Sequence, residues 1–344
     1  MLTPLKSYKN TFALLLIVLL VSTFLNISLG SVNIPLKQLF LTLINGDVEK
    51  EAWRTIILNY RLPKAITAII VGSGLSISGL LMQTLFRNPL AGPFVLGISS
   101  GASLGVAILI LGASFLGANI TSYAFTNFGL AIAASAGAFL VLAAVMLAAL
   151  KVRNTMSILI IGLMFGSITS SVISVLAYFS SASELQQYMF WSFGSLGNLS
   201  WKEISALLSI FILGITLVTF IIKPLNSLLL GENYAKSMGV NVKLTRNITL
   251  IATSLLTGVI TAFSGPIAFI GLAVPHLTKL LFNTSNHKTL LPAVAICGAI
   301  IMLLCDSIAQ VPNSEYTLPI NAITSLFGAP IIIWLLVRKR KIYY

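Results

Sequence analysis

The sequence predicts an all-α integral membrane protein with about ten transmembrane helices in two similar halves. Of its 344 residues, 57% are hydrophobic and 8% are charged, with a mean hydropathy of +0.99. A soluble domain carries about 25% charged residues, so most of this chain is expected to face lipid. The apolar runs are continuous rather than alternating, which favours helices over an outer-membrane barrel.

Ten apolar runs are near the length of about 20 residues that a membrane helix requires. They lie near 11–30, 63–84, 93–112, 126–150, 156–180, 203–223, 245–264, 266–283, 288–308 and 319–337. Most Lys and Arg residues fall in alternate gaps, which places both termini in the cytoplasm. Because these basic residues lie in the gaps between spans and not together on one folded face, they argue against nucleic-acid binding, despite a net charge of +13.

A Gly-Pro step inside apolar sequence occurs once in each half. Gly92-Pro93 and Gly265-Pro266 are 265 − 92 = 173 residues apart, about half of the 344-residue chain. Five spans per half is an odd number, so the second half should insert upside down relative to the first. We therefore expect one transmembrane domain over 1–344, built from inverted half-repeats of about 1–180 and 181–344, as in many transporters.

The ionisable and sulfur-bearing residues do not form a catalytic or metal site in sequence. Cys297 and Cys305 share one apolar run and are expected to pack in the interior. His276 stands apart from other ligand types, so a structural hydrogen bond is its expected role. Asp306 and Glu315 fall near the outer surface, and we predict no catalytic residue, metal site or bound cofactor.

Four stretches carry a family resemblance. They are Arg61-Leu62-Pro63-Lys64, Arg87 to Gly105, Gly265 to Leu277, and Leu318 to Pro330. Together they resemble the FecCD-type permeases of ABC importers, which carry iron–siderophore complexes, haem or cobalamin, and the resemblance extends from about Arg61 to Leu336. It implies a type II importer permease in the bacterial cytoplasmic membrane.

The resemblance also implies the partners. These are a second permease copy, giving a homodimer or a related pair, two ATPase subunits, and an extracytoplasmic substrate-binding protein. The sequence contains no Gly-x-x-x-x-Gly-Lys-Ser/Thr stretch to hold ATP phosphates. ATP and Mg are therefore expected on the partner ATPase, and the chain itself is not expected to be an enzyme.

The longest polar inside gap, 224–244, is similar to the family's ATPase coupling segment. The residues implied in coupling are Gly231, Glu232, Ala235, Met238 and Gly239. Gly239 suits a helix C-terminal turn with positive φ. The alternative is a plain solvated loop. The nearby loop 285–288 should face the same partner.

Arg61 and Lys64 lie on the predicted outer side, against the charge bias. The resemblance implies that this pair meets acidic residues of the binding protein. Such rim charges mainly orient a partner and raise its on-rate. Anchoring to lipid headgroups is the alternative. A further basic docking position of cobalamin-type members falls on Gln310 in this chain.

The 156–180 helix is expected to line the transport path on the dimer axis. Its candidate path residues are hydroxyl-bearing: Ser167, Thr169, Ser170, Ser171 and Ser174. The alternative is that these hydroxyls bond to carbonyls of their own helix. By resemblance, Asn154-Thr155-Met156-Ser157 is the cytoplasmic gate.

Two other classes of function compete with an importer permease. A secondary transporter driven by an ion gradient would want buried Asp or Glu at mid-span. An intramembrane enzyme would need a nucleophile and base, or a metal cluster. The sequence shows neither. The region 31–60 is expected to be an amphipathic outer segment, with no function assigned.

Overall fold

The computed structural model describes residues 8–44, 46–113, 126–152, 155–197, 199–310 and 316–337. Within these ranges the chain forms helices joined by turns and loops, with an isolated β-bridge between Gln310 and Thr317. The predicted all-α class is confirmed.

The helices of the first half are long spans with short accessory helices near residues 36–61. They are α1 (Lys9–Ser28), α2 (Leu36–Leu43), α3 (Glu51–Ile56), a π-helical turn (Ile57–Arg61), α4 (Leu62–Phe86), a 3-10 turn (Pro93–Leu96), α5 (Ile98–Ile110), α6 (Asn127–Lys151) and α7 (Thr155–Phe179).

The second half is likewise built from long spans and short accessory helices. Its helices are α8 (Ala182–Ser192), α9 (Trp201–Phe220), α10 (Ile222–Leu228), α11 (Glu232–Ser237), α12 (Val242–Ser264), α13 (Ile270–Phe282), α14 (His287–Ala309) and α15 (Ile320–Val337).

Each of the ten predicted spans coincides with a helix: α1, α4, α5, α6, α7, α9, α12, α13, α14 and α15. Among the described residues, seven helical stretches are long and apolar enough to cross a membrane, and three shorter apolar helices, α5, α13 and α15, account for the remaining spans. Helix α8 was not predicted. A capping box signals its start, with Ser181 as N-cap and Glu184 three residues later.

The Gly-Pro breaks shorten one helix in each half in the same way. The span predicted from residue 93 begins as a helix at Ile98, after Gly97 at φ 71°. The span predicted from residue 266 begins at Ile270, after Phe269 at φ 65°. Helices α5 and α13 are each 13 residues long. The half-repeat boundaries stay a prediction, and this shared geometry supports them.

Helix α4 lies at the centre of the bundle, and 89% of its apolar 18-residue stretch is buried. It contacts α13 and α14 backbone to backbone. A Cβ added at Gly79 would lie 1.5 Å from Gly271 O, and one at Gly72 would lie 2.3 Å from Gly298 O. Small residues permit this approach, and close packing holds helices together where lipid removes the hydrophobic drive between them.

Other helices leave most of their surface uncovered. Only 17% of the apolar 18-residue stretch of α7 and 22% of that of α1 are buried inside the chain. The uncovered surface of such membrane helices is available for contact with lipid or with another protein chain.

We predict that Gly79→Ala destabilises the bundle by about 1–3 kcal/mol, the usual penalty for overpacking. The obstacle is the Gly271 carbonyl, which no side-chain rotation can move away. Gly166→Ala is the matched control, because its Cβ would meet only Ser100 Oγ, at 3.4 Å. Thermal unfolding in detergent measures both. Equal midpoints for the two variants would contradict the packing account.

Candidate transport path and docking surfaces

The segment at residues 222–244 forms two short helices, α10 and α11, ahead of α12. Gly231, at φ 109°, separates them, and Gly239, at φ 82°, follows α11. The positive φ predicted for Gly239 is present. No other atom lies within 4 Å of a Cβ built there, so backbone conformation alone favours glycine at this position.

The surface of this segment is apolar at several exposed positions. Met238 is 58% exposed, and Leu230 and Tyr234 are also exposed. Ala235 is fully buried, so it packs the segment against the bundle rather than facing outward. Glu232 lies in the first turn of α11, where a carboxylate suits the helix dipole.

Two polar contacts join α13 to α4 and to the loop that follows α4. His276 Nε2 lies 2.6 Å from Pro89 O, and Gln83 Nε2 donates to Leu272 O at 3.2 Å. The structural hydrogen bond expected for His276 is therefore observed. Cys297 and Cys305 are buried free thiols, and the described residues contain no cluster of three or more metal-ligating side chains.

The predicted cytoplasmic gate lies at the start of α7. Asn154 falls outside the described residues, and α7 begins at Thr155. Met156 is exposed and Ser157 is half-buried. The gate stays a prediction.

A row of serines runs along the exposed face of α7. It borders a surface cavity of about 450 Å³ whose lining includes Phe94, Ser100, Gly162, Gly166, Ser167, Ser170, Ser171 and Ser174. Thr169, expected in the same row, is instead buried and bonds to Gly166 O at 2.8 Å. It belongs to the packed side of the helix.

The alternative, bonding to carbonyls of the same helix, is observed for three of these serines, and the path-lining role stays a prediction. Ser167 donates to Leu163 O at 3.2 Å, Ser171 to Ser167 O at 3.0 Å, and Ser174 to Ser170 O at 3.0 Å. The protons of these three serines are thus used within the helix while their oxygens remain exposed. This face is uncharged and presents no strong ligand for a metal.

Arg61 and Lys64, the two basic residues at the N-terminal end of α4, both have partners within the chain. Arg61 is 7% exposed and donates to the backbone carbonyls of Ile27, Ser28 and Val32. A guanidinium suits the carbonyls of Ile27 and Ser28 because they end α1 without helical partners, and Val32 lies in the loop that follows. Sequence reasoning missed this role, and it leaves Arg61 poorly placed to reach another protein.

Lys64 forms an ion pair with Asp306 of α14, with 3.2 Å between Nζ and Oδ1. Asp306 Oδ2 also accepts from Asn26 Nδ2 and Gln310 Nε2, each at 2.8 Å. Lys64 is 19% exposed and the carboxylate is nearly buried. Lys64 lines a cavity of about 370 Å³ together with Tyr60, Arg61, Gln310 and Tyr316. Docking by Arg61 and Lys64 stays a prediction.

We predict that Asp306→Asn lowers stability by about 2 kcal/mol, the range for losing a charge-assisted hydrogen bond. The change leaves the partly buried Lys64 ammonium without its counter-charge. Thermal unfolding in detergent provides the measurement, with the exposed Glu51→Gln as control. An unchanged midpoint for Asp306→Asn would show that the pair adds nothing to the fold.

The fold and its exposed serine face define a multi-pass membrane transport protein. Residues 17–338 match the FecCD transport family, and the chain belongs to that family. The vitamin B12 import system permease protein BtuC of Citrobacter koseri is 35% identical over 298 residues, covering 86% of this chain and 87% of that protein. The same permease of Salmonella typhi is 35% identical over 297 residues, covering 86% and 88%.

Solved structures agree with this assignment. A metal-chelate type ABC transporter in an inward-facing conformation superposes with a TM-score of 0.82 at 29% identity, covering 96% of this chain and 100% of that one. PsaBC from Streptococcus pneumoniae gives a TM-score of 0.51 at 19% identity, covering 79% and 89%. The second likeness is one of fold alone.

Proposed function

We propose that this chain is the membrane permease of an ABC importer that moves a metal chelate inward across the bacterial cytoplasmic membrane. The cargo class is an iron chelate, such as a siderophore complex or haem, or cobalamin. The observation that carries the proposal is the family match over residues 17–338. The 35% identity to vitamin B12 permeases supports cobalamin within that class.

The segment α10–α11 is the proposed ATPase docking site. Its exposed apolar side chains, Leu230, Tyr234 and Met238, suit insertion into a groove. Lys223, Lys236 and Lys243 surround them, and Glu232 is the only acidic residue between 204 and 305. Such charge favours an acidic rim on the partner and speeds its encounter. Two ATPase subunits would bind ATP and Mg and supply the energy.

The serine face of α7 is the proposed wall of the transport path. Most of this helix is left uncovered by the rest of the chain, and a second permease copy facing it would enclose the path. Exposed hydroxyl oxygens bind a large chelate weakly at many points, so they let it pass rather than hold it. Residues 154–157 would close the cytoplasmic end.

The cavity beside Lys64 is the proposed contact for the extracytoplasmic binding protein. Of the two basic residues predicted there, Lys64 is the more accessible. An acidic residue of the binding protein would compete with Asp306 for the ammonium. In this orientation both termini lie in the cytoplasm, as the distribution of basic residues favours.

A secondary transporter remains the alternative, and the buried carboxylates give it little support. Asp306 is held by Lys64, and Glu203 accepts from the Ser200 backbone N–H at 2.6 Å in a helix cap. Both are occupied structurally near helix ends, whereas a gradient-driven carrier uses carboxylates that exchange ions near the membrane centre.

We expect ATP-driven uptake when this chain is reconstituted in vesicles with the ATPase and binding protein encoded beside it. Radiolabelled cyanocobalamin, haem and a ferric hydroxamate chelate serve as probes. ATP should drive uptake of one of them, and a proton gradient alone should not. Gradient-driven uptake by the isolated chain would overturn the proposal.

We also expect Met238→Glu to weaken copurification with the ATPase by about tenfold or more, because an exposed apolar anchor becomes a charge in a desolvated contact. The fold should be unaffected, since the side chain is 58% exposed. Met189→Glu, an exposed methionine on α8, is the control and should copurify normally. Normal copurification of Met238→Glu would place the docking site elsewhere.

A further inference from the structure

His287 is buried at the start of α14, and its ring contacts two other helices. The residue is 1% exposed. Its backbone N and its Nδ1 both lie 2.8 Å from Asn226 Oδ1 in α10. Its Nε2 lies 2.8 Å from Thr84 Oγ1 in the last turn of α4. One side chain thus joins α4 and α14 to the proposed coupling segment.

The surrounding hydrogen bonds fix the position of the ring proton. The His287 backbone N–H donates to Asn226 Oδ1, and Asn226 Nδ2 donates to Asn286 Oδ1 at 3.0 Å. Asn286 Oδ1 also accepts from the Lys288 backbone N–H at 3.0 Å. An amide oxygen only accepts, so the ring carries its proton on Nδ1. In the neutral ring, Nε2 can only accept, so the Thr84 hydroxyl proton is shared between this nitrogen and Leu80 O, which lies 2.9 Å from Thr84 Oγ1.

Helices α4 and α14 are joined at three levels. Thr84 meets His287 at one end, Gly72 contacts Gly298 in the middle, and Lys64 pairs with Asp306 at the other end. Lys64 and Thr84 are 84 − 64 = 20 residues apart, about 30 Å along a helix. Because α4 and α14 are bonded to each other at both ends and packed closely along their middle, we expect them to move as one rigid body.

We propose that His287 is the positioning residue that passes displacement of α10 to the α4–α14 pair. This inference rests on the proposed function, in which the ATPase moves α10 and α11. A hydrogen bond weakens steeply with poor geometry, and α10 cannot shift past the ring without disturbing both bonds to Asn226. A displacement of α10 by the ATPase is therefore transmitted to α4 and α14, and through them to the end of α4 that carries Lys64.

Three substitutions separate the two contacts of the ring. His287→Asn retains a donor near the Nδ1 position and loses the Thr84 contact. His287→Gln does the reverse, and Thr84→Val removes only the hydroxyl. The matched control is Thr67→Val, a buried threonine in the same helix whose hydroxyl donates to Pro63 O at 2.9 Å.

The experiment measures the labelling rate of an introduced cysteine, so it needs no transported ligand. Both native cysteines are buried, so Ser174→Cys on the exposed face of α7 supplies a maleimide-reactive site in the full complex with the ATPase. ATP with vanadate should change the labelling rate in the otherwise wild-type chain. In Thr84→Val, His287→Asn and His287→Gln the change should shrink about three- to tenfold, the effect of removing one contact in a coupling network.

ATPase copurification should persist in these variants, and Thr67→Val should behave as wild type. A full-sized change in Thr84→Val and His287→Asn would overturn the inference. Loss of copurification in both, with Thr67→Val intact, would overturn it too, because His287 would then serve docking. Thr84→Val tests the contact alone if a His287 variant fails to fold. If Ser174→Cys alone shows no nucleotide-dependent change, the proposed function fails and the inference with it.

Discussion

Backbone contact between helices at glycine is the constraint on which this structure depends. In lipid, apolar side chains gain nothing by leaving their surroundings, so helices associate through close packing and a few polar contacts. Gly72 and Gly79 bring α4 against the backbones of α14 and α13. Once α4 is surrounded in this way, the polar groups at its two ends are also brought to fixed neighbours.

Those polar groups form two separate sets, one at each end of α4. Towards one end of α4, Arg61 binds the last carbonyls of α1, and Lys64 pairs with Asp306. Towards the other, Thr84 reaches His287, and His276 holds the loop at Pro89. Between them, the α4–α14 contact is made by small residues. These end groups all have partners, which avoids the large penalty for an unpaired group in an apolar medium. In the buried middle of α4, by contrast, the hydroxyls of Ser76 and Ser78 have no hydrogen-bond partner among the described residues.

The contrast between α4 and α7 links the fold to transport. Helix α4 is almost wholly buried, whereas α7 is mostly exposed and presents a row of serines. The uncovered face of α7 is the surface that the proposed second permease copy would cover. The protons of Ser167, Ser171 and Ser174 are bonded within α7, so these hydroxyls present uncharged oxygens on its exposed face.

The sequence by itself determined the fold class, the ten spans and the two breaks, because hydropathy, Gly-Pro steps and basic residues in the gaps are local signals. It also marked Gly239 as a positive-φ position. Only the tertiary structure decided which polar residues meet. Lys64 and Asp306 are 306 − 64 = 242 residues apart, and Thr84 and His287 are 287 − 84 = 203 apart. No local pattern predicts such pairs, since helix packing alone selects them. For the same reason the sequence predicted a docking role for the charge of Arg61, whereas in the fold its guanidinium is buried and donates hydrogen bonds to backbone carbonyls.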